Sequence, residues 1–205
     1  MHDEIIDKKQ GSVLEILKKF SDKFGMVGGT ACALMLGHRQ SIDFDLFANA
    51  DFSNLDIIKK IKGLGFSIDR NLVDEKGQFT CVIKGVKFTF LYFPFAVKLK
   101  NQWNDIIKLP DLATLCALKA YTLGRRSKWK DYVDLYFSFE SGITLNEIVA
   151  KAEIVFQNEF NTKLFRSQLA YHQDIDKSEK IIYMPNKEVT DKKIEAKLIA
   201  ISLEK

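Results

Sequence analysis

No stretch of the 205-residue sequence approaches the roughly 18 consecutive apolar residues that a membrane-crossing helix needs. The longest apolar run, Phe88 to Val97, is broken by Thr89 and Pro94. The opening MHDEIIDKKQ lacks the basic-then-apolar order of a signal peptide. Cysteine is scarce: Cys32, Cys81 and Cys116 are odd in number, far apart and set among apolar residues. That argues against a disulfide framework and fits reduced, buried thiols in a cytoplasmic protein. The three histidines, His2, His38 and His172, are too scattered to build a zinc site with them. With 11 glycines and 3 prolines the chain is neither collagen-like nor linker-dominated. Charge of one sign is also nearly absent in excess. The balance of 31 basic against 27 acidic residues gives +4, too mild by itself to indicate a nucleic-acid binder.

What is present is an ordinary globular composition, 46% hydrophobic and 28% charged. Apolar spacing predicts a helix from Ser12 to Phe24, a short buried strand at Met26 and Val27, and a short helix from Thr30 to Leu36. Ser41 to Ala48 alternates, with Ser41, Asp43 and Asp45 on one face and Ile42, Phe44 and Leu46 on the other, which is a half-buried strand. A helix is expected from Leu55 to Leu64. Strands are expected over Phe66–Leu72, Phe79–Ile83 and Val86–Phe93, with Lys84-Gly85 as a hairpin turn. Helices are expected over Pro110–Leu123, Lys128–Phe139, Leu145–Phe160, Thr162–Tyr171 and Thr190–Leu203, with Pro110 in a first turn. The fold class is therefore α+β: a mixed sheet with helices over residues 1–105, then a helical region over residues 106–205.

The chemistry concentrates in Gly28-Gly29-Thr30 followed by Asp43-Phe44-Asp45. Asp43 and Asp45 stand two apart on a strand, so their carboxylates share a face, with α-carbons about 7 Å apart. Such a pair can hold a hard divalent cation that keeps waters and substrate phosphates as its other ligands. A Gly-Gly between strand and helix lets backbone N–H groups approach a phosphate, and Thr30 can donate its hydroxyl or cap the helix. Each part alone is ordinary: Asp-x-Asp is commonly a solvated strand face, and Gly-Gly-Thr commonly a turn and a cap. Their succession is harder to read as surface decoration. Residues 119–130 add Lys119, Arg125, Arg126, Lys128 and Lys130 with no acid among them. The aromatics Phe88, Phe90, Tyr92, Phe93 and Phe95 read as core.

The stretch GGTACALMLGHRQSIDFDLF resembles the first motif of the polymerase-beta-type nucleotidyltransferases, and more narrowly the AbiEii/AbiGii abortive-infection toxins. DLATLCALKAYTLGRRSKWKDYVDLYF resembles the helical motifs of the same branch, and LFRSQLAYHQDID the C-terminal part of one subgroup. The resemblance implies a nucleotidyltransferase-fold core closed by the helical region. It implies that Gly28, Gly29 and Thr30 contact nucleotide phosphates and that Asp43 and Asp45 bind Mg²⁺ or Mn²⁺. Arg39, Lys119, Arg125 and Lys130 would hold the nucleotide, with Arg39 able to pair with an acid or a phosphate, and Lys119, Asp131 and Asp134 would join the two strand aspartates as catalytic groups, the two helix aspartates orienting lysine, metal or acceptor. The activity implied is transfer of a nucleoside monophosphate from an NTP to an acceptor hydroxyl, with RNA or tRNA as acceptor, in a cytoplasmic toxin of an abortive-infection or toxin–antitoxin pair with a cognate antitoxin. One departure stands out. Where this superfamily carries a third carboxylate on a later strand, the sequence has Thr89, with Asp74, Glu75 or Asp131 as conceivable substitutes. That keeps open an alternative, a catalytically weak or inactive member that binds nucleotide, RNA or a partner protein. A plain α+β interaction domain is the third reading.

Overall fold

The structure, a computed structural model, describes residues 1–123 and 125–204. A 3₁₀ turn at Asp3–Ile5 is followed by two short helices, α1 (Lys8–Gly11), held by a reciprocal capping box between Asp7 and Gln10, and α2 (Leu14–Phe20). The expected helix from Ser12 to Phe24 is thus shorter, ending in a turn before β1 (Gly25–Val27). β1 runs straight into α3 (Gly28–Leu36), which Gly37 ends in the left-handed conformation with φ of 59°. β2 (Asp43–Ala48) keeps the alternation read in the sequence, with Phe44, Leu46 and Ala48 buried and Asp43, Asp45 and Phe47 only partly so. Ser53 caps α4 (Asn54–Gly63) by accepting from the Asp56 amide.

β3 (Arg70–Glu75), β4 (Gln78–Ile83) and β5 (Val86–Tyr92) follow. Phe66 to Asp69 lies outside any strand, so the first of the three expected strands begins later than its apolar residues suggest. Lys84 and Gly85 both take positive φ, 49° and 76°, as a two-residue hairpin turn requires. The sheet order is β1-β2-β5-β4-β3, parallel only between β2 and β5. A small hairpin, β6 (Asn101–Trp103) and β7 (Ile107–Leu109), follows where the sequence reading placed only a boundary.

The helical part comprises α5 (Leu112–Leu123), α6 (Trp129–Glu140), α7 (Leu145–Phe156), α8 (Thr162–Ala170) and α9 (Asp191–Ser202). Pro110 stands outside α5, and Asp111 does the capping by accepting from the Thr114 amide at 2.9 Å. α7 stops at Phe156, after which Gln157–Glu159 forms a 3₁₀ turn. One face of the sheet packs Phe44, Phe79, Phe88 and Phe90 against Phe20, Phe24, Ile57 and Ile61, and this core extends to Leu115, Ala117 and Phe156 of the helical part. A second core gathers Tyr132, Val133, Leu135, Ile148, Phe165 and Leu198. Among the described residues no helix is long and apolar enough to cross a membrane.

Candidate functional site

The uncovered face of the sheet and α5 enclose a cavity of about 420 Å³. Its sheet wall follows from strand alternation. Burying Phe44 and Leu46 turns Asp43, Asp45 and Phe47 to the opposite face, and burying Phe88 and Phe90 does the same for Lys87, Thr89 and Leu91. The parallel register sets Asp43 beside Lys87, Asp45 beside Thr89 and Phe47 beside Leu91. Thr89 therefore borders Asp45 on the neighbouring strand, and both line the cavity.

Gly28 closes this end. It is the first residue of α3, with φ of 74°, and a β-carbon built on it would lie 2.2 Å from Asp45 Oδ2. Only glycine takes that conformation cheaply and leaves room for the carboxylate. The first amides of α3 have no side-chain cap, so the positive end of the helix opens beside Asp45. Of the two roles open to Thr30, a helix cap or a hydroxyl donor, the structure shows the donor. Thr30 is buried inside the first turn, where its hydroxyl donates to the Asp43 carbonyl and meets Ser41 Oγ at 2.9 Å. It clamps α3 to the start of β2.

The two aspartates differ. Asp43 Oδ2 is 2.5 Å from Lys87 Nζ. Burial, and then the neighbouring Asp43 charge, push the Asp45 carboxyl above the usual range. Among the described residues no three His, Cys, Asp or Glu side chains converge as a metal centre. The donor set is two carboxylates, one of them short of positive charge, which suits a cation that retains waters and phosphates as ligands. The substitutes considered for a third carboxylate lie elsewhere: Asp74 is exposed and accepts from Asn54 at 2.6 Å, Glu75 is exposed, and Asp131 is buried in a separate network.

That network stands behind the α5 wall. Lys119 lines the cavity, yet its Nζ lies 2.5 Å from Asp131 Oδ1 and 2.7 Å from Asp134 Oδ2. Burial alone would lower the ammonium's pKa, but the two carboxylates outweigh it and hold the group charged. Arg39 grips Asp134 with two bonds, Nε at 2.7 Å and the Nη2 nitrogen at 2.9 Å, and His38 Nε2 meets the same carboxylate at 2.8 Å. Burial opposes ionisation of Asp134, but Arg39, Lys119 and His38 together hold its carboxyl well below the usual range. Arg126 meets Asp131 at 3.0 and 3.2 Å and reaches the cavity wall. A β-carbon on Gly29 would lie 2.6 Å from the Arg39 guanidinium, so Gly29 serves the network beneath it.

Of the residues expected at the site, the cavity gathers Gly28, Asp45, Lys119 and Arg125, with Asp43 joined to its wall through Lys87. Arg39, Asp131 and Asp134 lie behind the wall as the ion pairs that hold Lys119. Lys130 faces Glu179 at 2.5 Å, and Lys128 faces Asp176 at 2.5 Å. The acid-free basic run is thus neutralised by distant acids rather than left as an open cationic patch. Phe47, Tyr121 and Gln78, all in the wall, gave no sequence signal, whereas strand alternation placed Lys87 on the face of Thr89, and both line the cavity. The expectation that the aromatics are core holds for Phe88 and Phe90, whereas Tyr92 is exposed and Phe93 lines the cavity.

No family model matches the chain. An uncharacterized protein of Aquifex aeolicus is 28% identical over 177 residues, covering 82% of this chain and 84% of that one. Among solved structures, the nucleotidyltransferase toxin MenT4 of Mycobacterium tuberculosis superposes with a TM-score of 0.65 at 17% identity, over 95% of this chain and 82% of that one. JHP933 from Helicobacter pylori does so with a TM-score of 0.57 at 15% identity, over 98% and 88%. The chain has the nucleotidyltransferase fold, a mixed sheet with a C-terminal helical region.

Proposed function

We propose that the protein is a nucleotidyltransferase that moves a nucleoside monophosphate from an NTP to an acceptor hydroxyl. The observation that carries this is the packing of Gly28, at the uncapped start of α3, directly on Asp45, across one cavity from Lys119 and Arg126. A site for metal and triphosphate needs those parts on opposite walls. Asp43 and Asp45 would hold Mg²⁺ or Mn²⁺, which when bound supplies charge neutralisation on the phosphates. The first amides of α3 would receive phosphate oxygens, helped by the helix dipole. Lys87 can exchange Asp43 for a phosphate oxygen. Lys119, held charged and nearly immobile by Asp131 and Asp134, and Arg126 would stabilise the charge that builds on the departing pyrophosphate. In the transfer the acceptor hydroxyl oxygen bonds to the α-phosphorus and releases its proton to water, as the bond from that phosphorus to the bridging oxygen of pyrophosphate breaks. Arg39 and His38 act one layer further out by orienting Asp134.

The narrower reading, an AbiEii-type toxin with a cognate antitoxin and RNA or tRNA as acceptor, is supported by the sequence motifs and by likeness to a chain described as a nucleotidyltransferase toxin. A second reading has its own support: Thr89 beside Asp45 offers no base, and Lys87 already occupies Asp43. It describes a nucleotide-binding protein with little turnover.

Thermal melting separates both from a plain interaction domain. An NTP with Mg²⁺ at 100 times its Kd adds about 2.7 kcal/mol, a rise of roughly 5–11 °C for a chain of this size. Binding without pyrophosphate release would favour the second reading, and no shift with any NTP would remove both.

A further inference from the structure

The same cavity has, at Tyr121 and Arg125, a feature that triphosphate chemistry does not use. The Tyr121 ring lies parallel to Phe156, with centroids 3.8 Å apart and planes 5° apart. The Arg125 guanidinium carbon lies 3.5 Å from the centroid of the same Tyr121 ring. Phe156 occupies one face of the tyrosine, so Arg125 must occupy the other. Tyr121 and Arg125 line the cavity, whereas Phe156 is buried behind them. The tyrosine is fixed at its far end as well, its hydroxyl donating to Glu159 Oε2 at 2.7 Å. Gln157, with φ of 51°, makes the strained turn that brings Phe156 and Glu159 to the same ring. The result is a ring backed by a ring and faced by a planar cation whose side chain is half exposed.

Resting on the nucleotidyltransferase reading, we infer that the Tyr121–Arg125 stack is the platform for the nucleobase of the incoming NTP. A guanidinium stacked on an aromatic ring presents a flat, weakly hydrated face, and bases stack on such faces whatever their identity. Phe47 and Phe93, themselves stacked with centroids 4.6 Å apart, supply apolar wall in the same cavity. The charged groups Asp45, Lys119 and Arg126 lie in that cavity too, so one molecule with a polyanionic end and a flat apolar end satisfies both. That places the donor nucleotide, rather than a base of the acceptor, on Arg125.

The test compares Mg²⁺-dependent binding of an NTP and of inorganic tripolyphosphate by the full chain, without RNA. Arg125→Lys keeps the charge and removes the plane; Tyr121→Leu removes the ring; Tyr121→Phe keeps the ring and loses only the Glu159 bond. Arg125→Lys and Tyr121→Leu should weaken NTP binding by ~5–150-fold while leaving tripolyphosphate unchanged, and Tyr121→Phe should stay near wild type. Arg125, being exposed, tolerates the change without loss of fold, so its result stands if Tyr121→Leu melts early. Equal losses for NTP and tripolyphosphate would make Arg125 a phosphate ligand and overturn the platform, as would undiminished NTP binding. Wild-type failure to bind either ligand would instead overturn the nucleotidyltransferase reading itself.

Discussion

Replacing Gly28 by alanine tests whether the start of α3 is built around the Asp45 carboxylate. Two penalties follow from the structure. At φ of 74° an L-residue costs about 1–2 kcal/mol relative to glycine. The new methyl would sit 2.2 Å from Asp45 Oδ2, so the carboxylate must retreat by about 1 Å, at a further ~0.5–1.5 kcal/mol of rotamer strain. The sum, about 1.5–3.5 kcal/mol, lowers Tm by roughly 3–14 °C. A misplacement of ~1 Å at the reacting centre costs on the order of 10²-fold in rate. Thermal melting and pyrophosphate release should therefore both respond. In an Asp45→Gly background, which removes the crowding β-carbon as well as the carboxylate, the same change should cost only the backbone part, leaving a coupling of about 0.5–1.5 kcal/mol. Gly63→Ala is the control, since nothing lies within 4 Å of its added carbon and its φ is helical; it should be neutral or gain up to ~1 kcal/mol. Gly28→Ala matching that control would refute the argument.

Three further outcomes follow. Asp45 has a folded pKa raised by burial and by Asp43, so its charge is a burden that grows as pH rises through that value. Asp45→Asn should then raise the melting temperature of the metal-free protein at neutral pH while abolishing Mg²⁺-dependent NTP binding, and a lower melting temperature would contradict this. Asp134 has the opposite sign: its folded pKa lies well below the unfolded value, so its stabilisation is complete above the ordinary carboxylate range and is lost as pH falls through the folded value. Asp134→Ala, which leaves Arg39 and Lys119 short of a partner, should cost about 3–5 kcal/mol and flatten the acid limb of a pH–stability curve. Thr89→Asp sets a carboxylate beside Asp45; it should lower metal-free stability yet raise the transfer rate by ~10²-fold or more, and an unchanged rate would show that a missing base is not what limits turnover.

Much of the fold was legible because it rests on short-range periodicity. The alternation in β2, the two-residue turn at Lys84-Gly85 and the Ser53 and Thr190 caps are all local signals. Of the site, Gly28, Asp45 and Thr89 were readable because strand period and a strand-to-helix junction place them. What escaped is non-local. An acid or a phosphate was open to Arg39 from the sequence, but Arg39 and Asp134 are 95 positions apart, and nothing in either neighbourhood announces which acid the guanidinium closes on. Helical spacing offers Asp134 as a partner for Lys130, whereas the acids that Lys128 and Lys130 meet, Asp176 and Glu179, arrive from an irregular segment without periodicity. β6 and β7, at three residues each, are too short for alternation to register. Tyr121 needed the end of α7 to be seen as a site residue at all.

Transfer of a nucleoside monophosphate at Asp43 and Asp45 is tested most directly by incubating the protein with each α-labelled NTP, Mg²⁺ and total cell RNA, then resolving the RNA and the pyrophosphate. The account predicts label in RNA and an equal yield of pyrophosphate from the wild-type chain, with neither from Asp43→Asn or Asp45→Asn proteins that melt no lower than wild type. Label transferred equally by those variants, or NTP bound tightly by the wild type with neither product formed from any NTP, would contradict it.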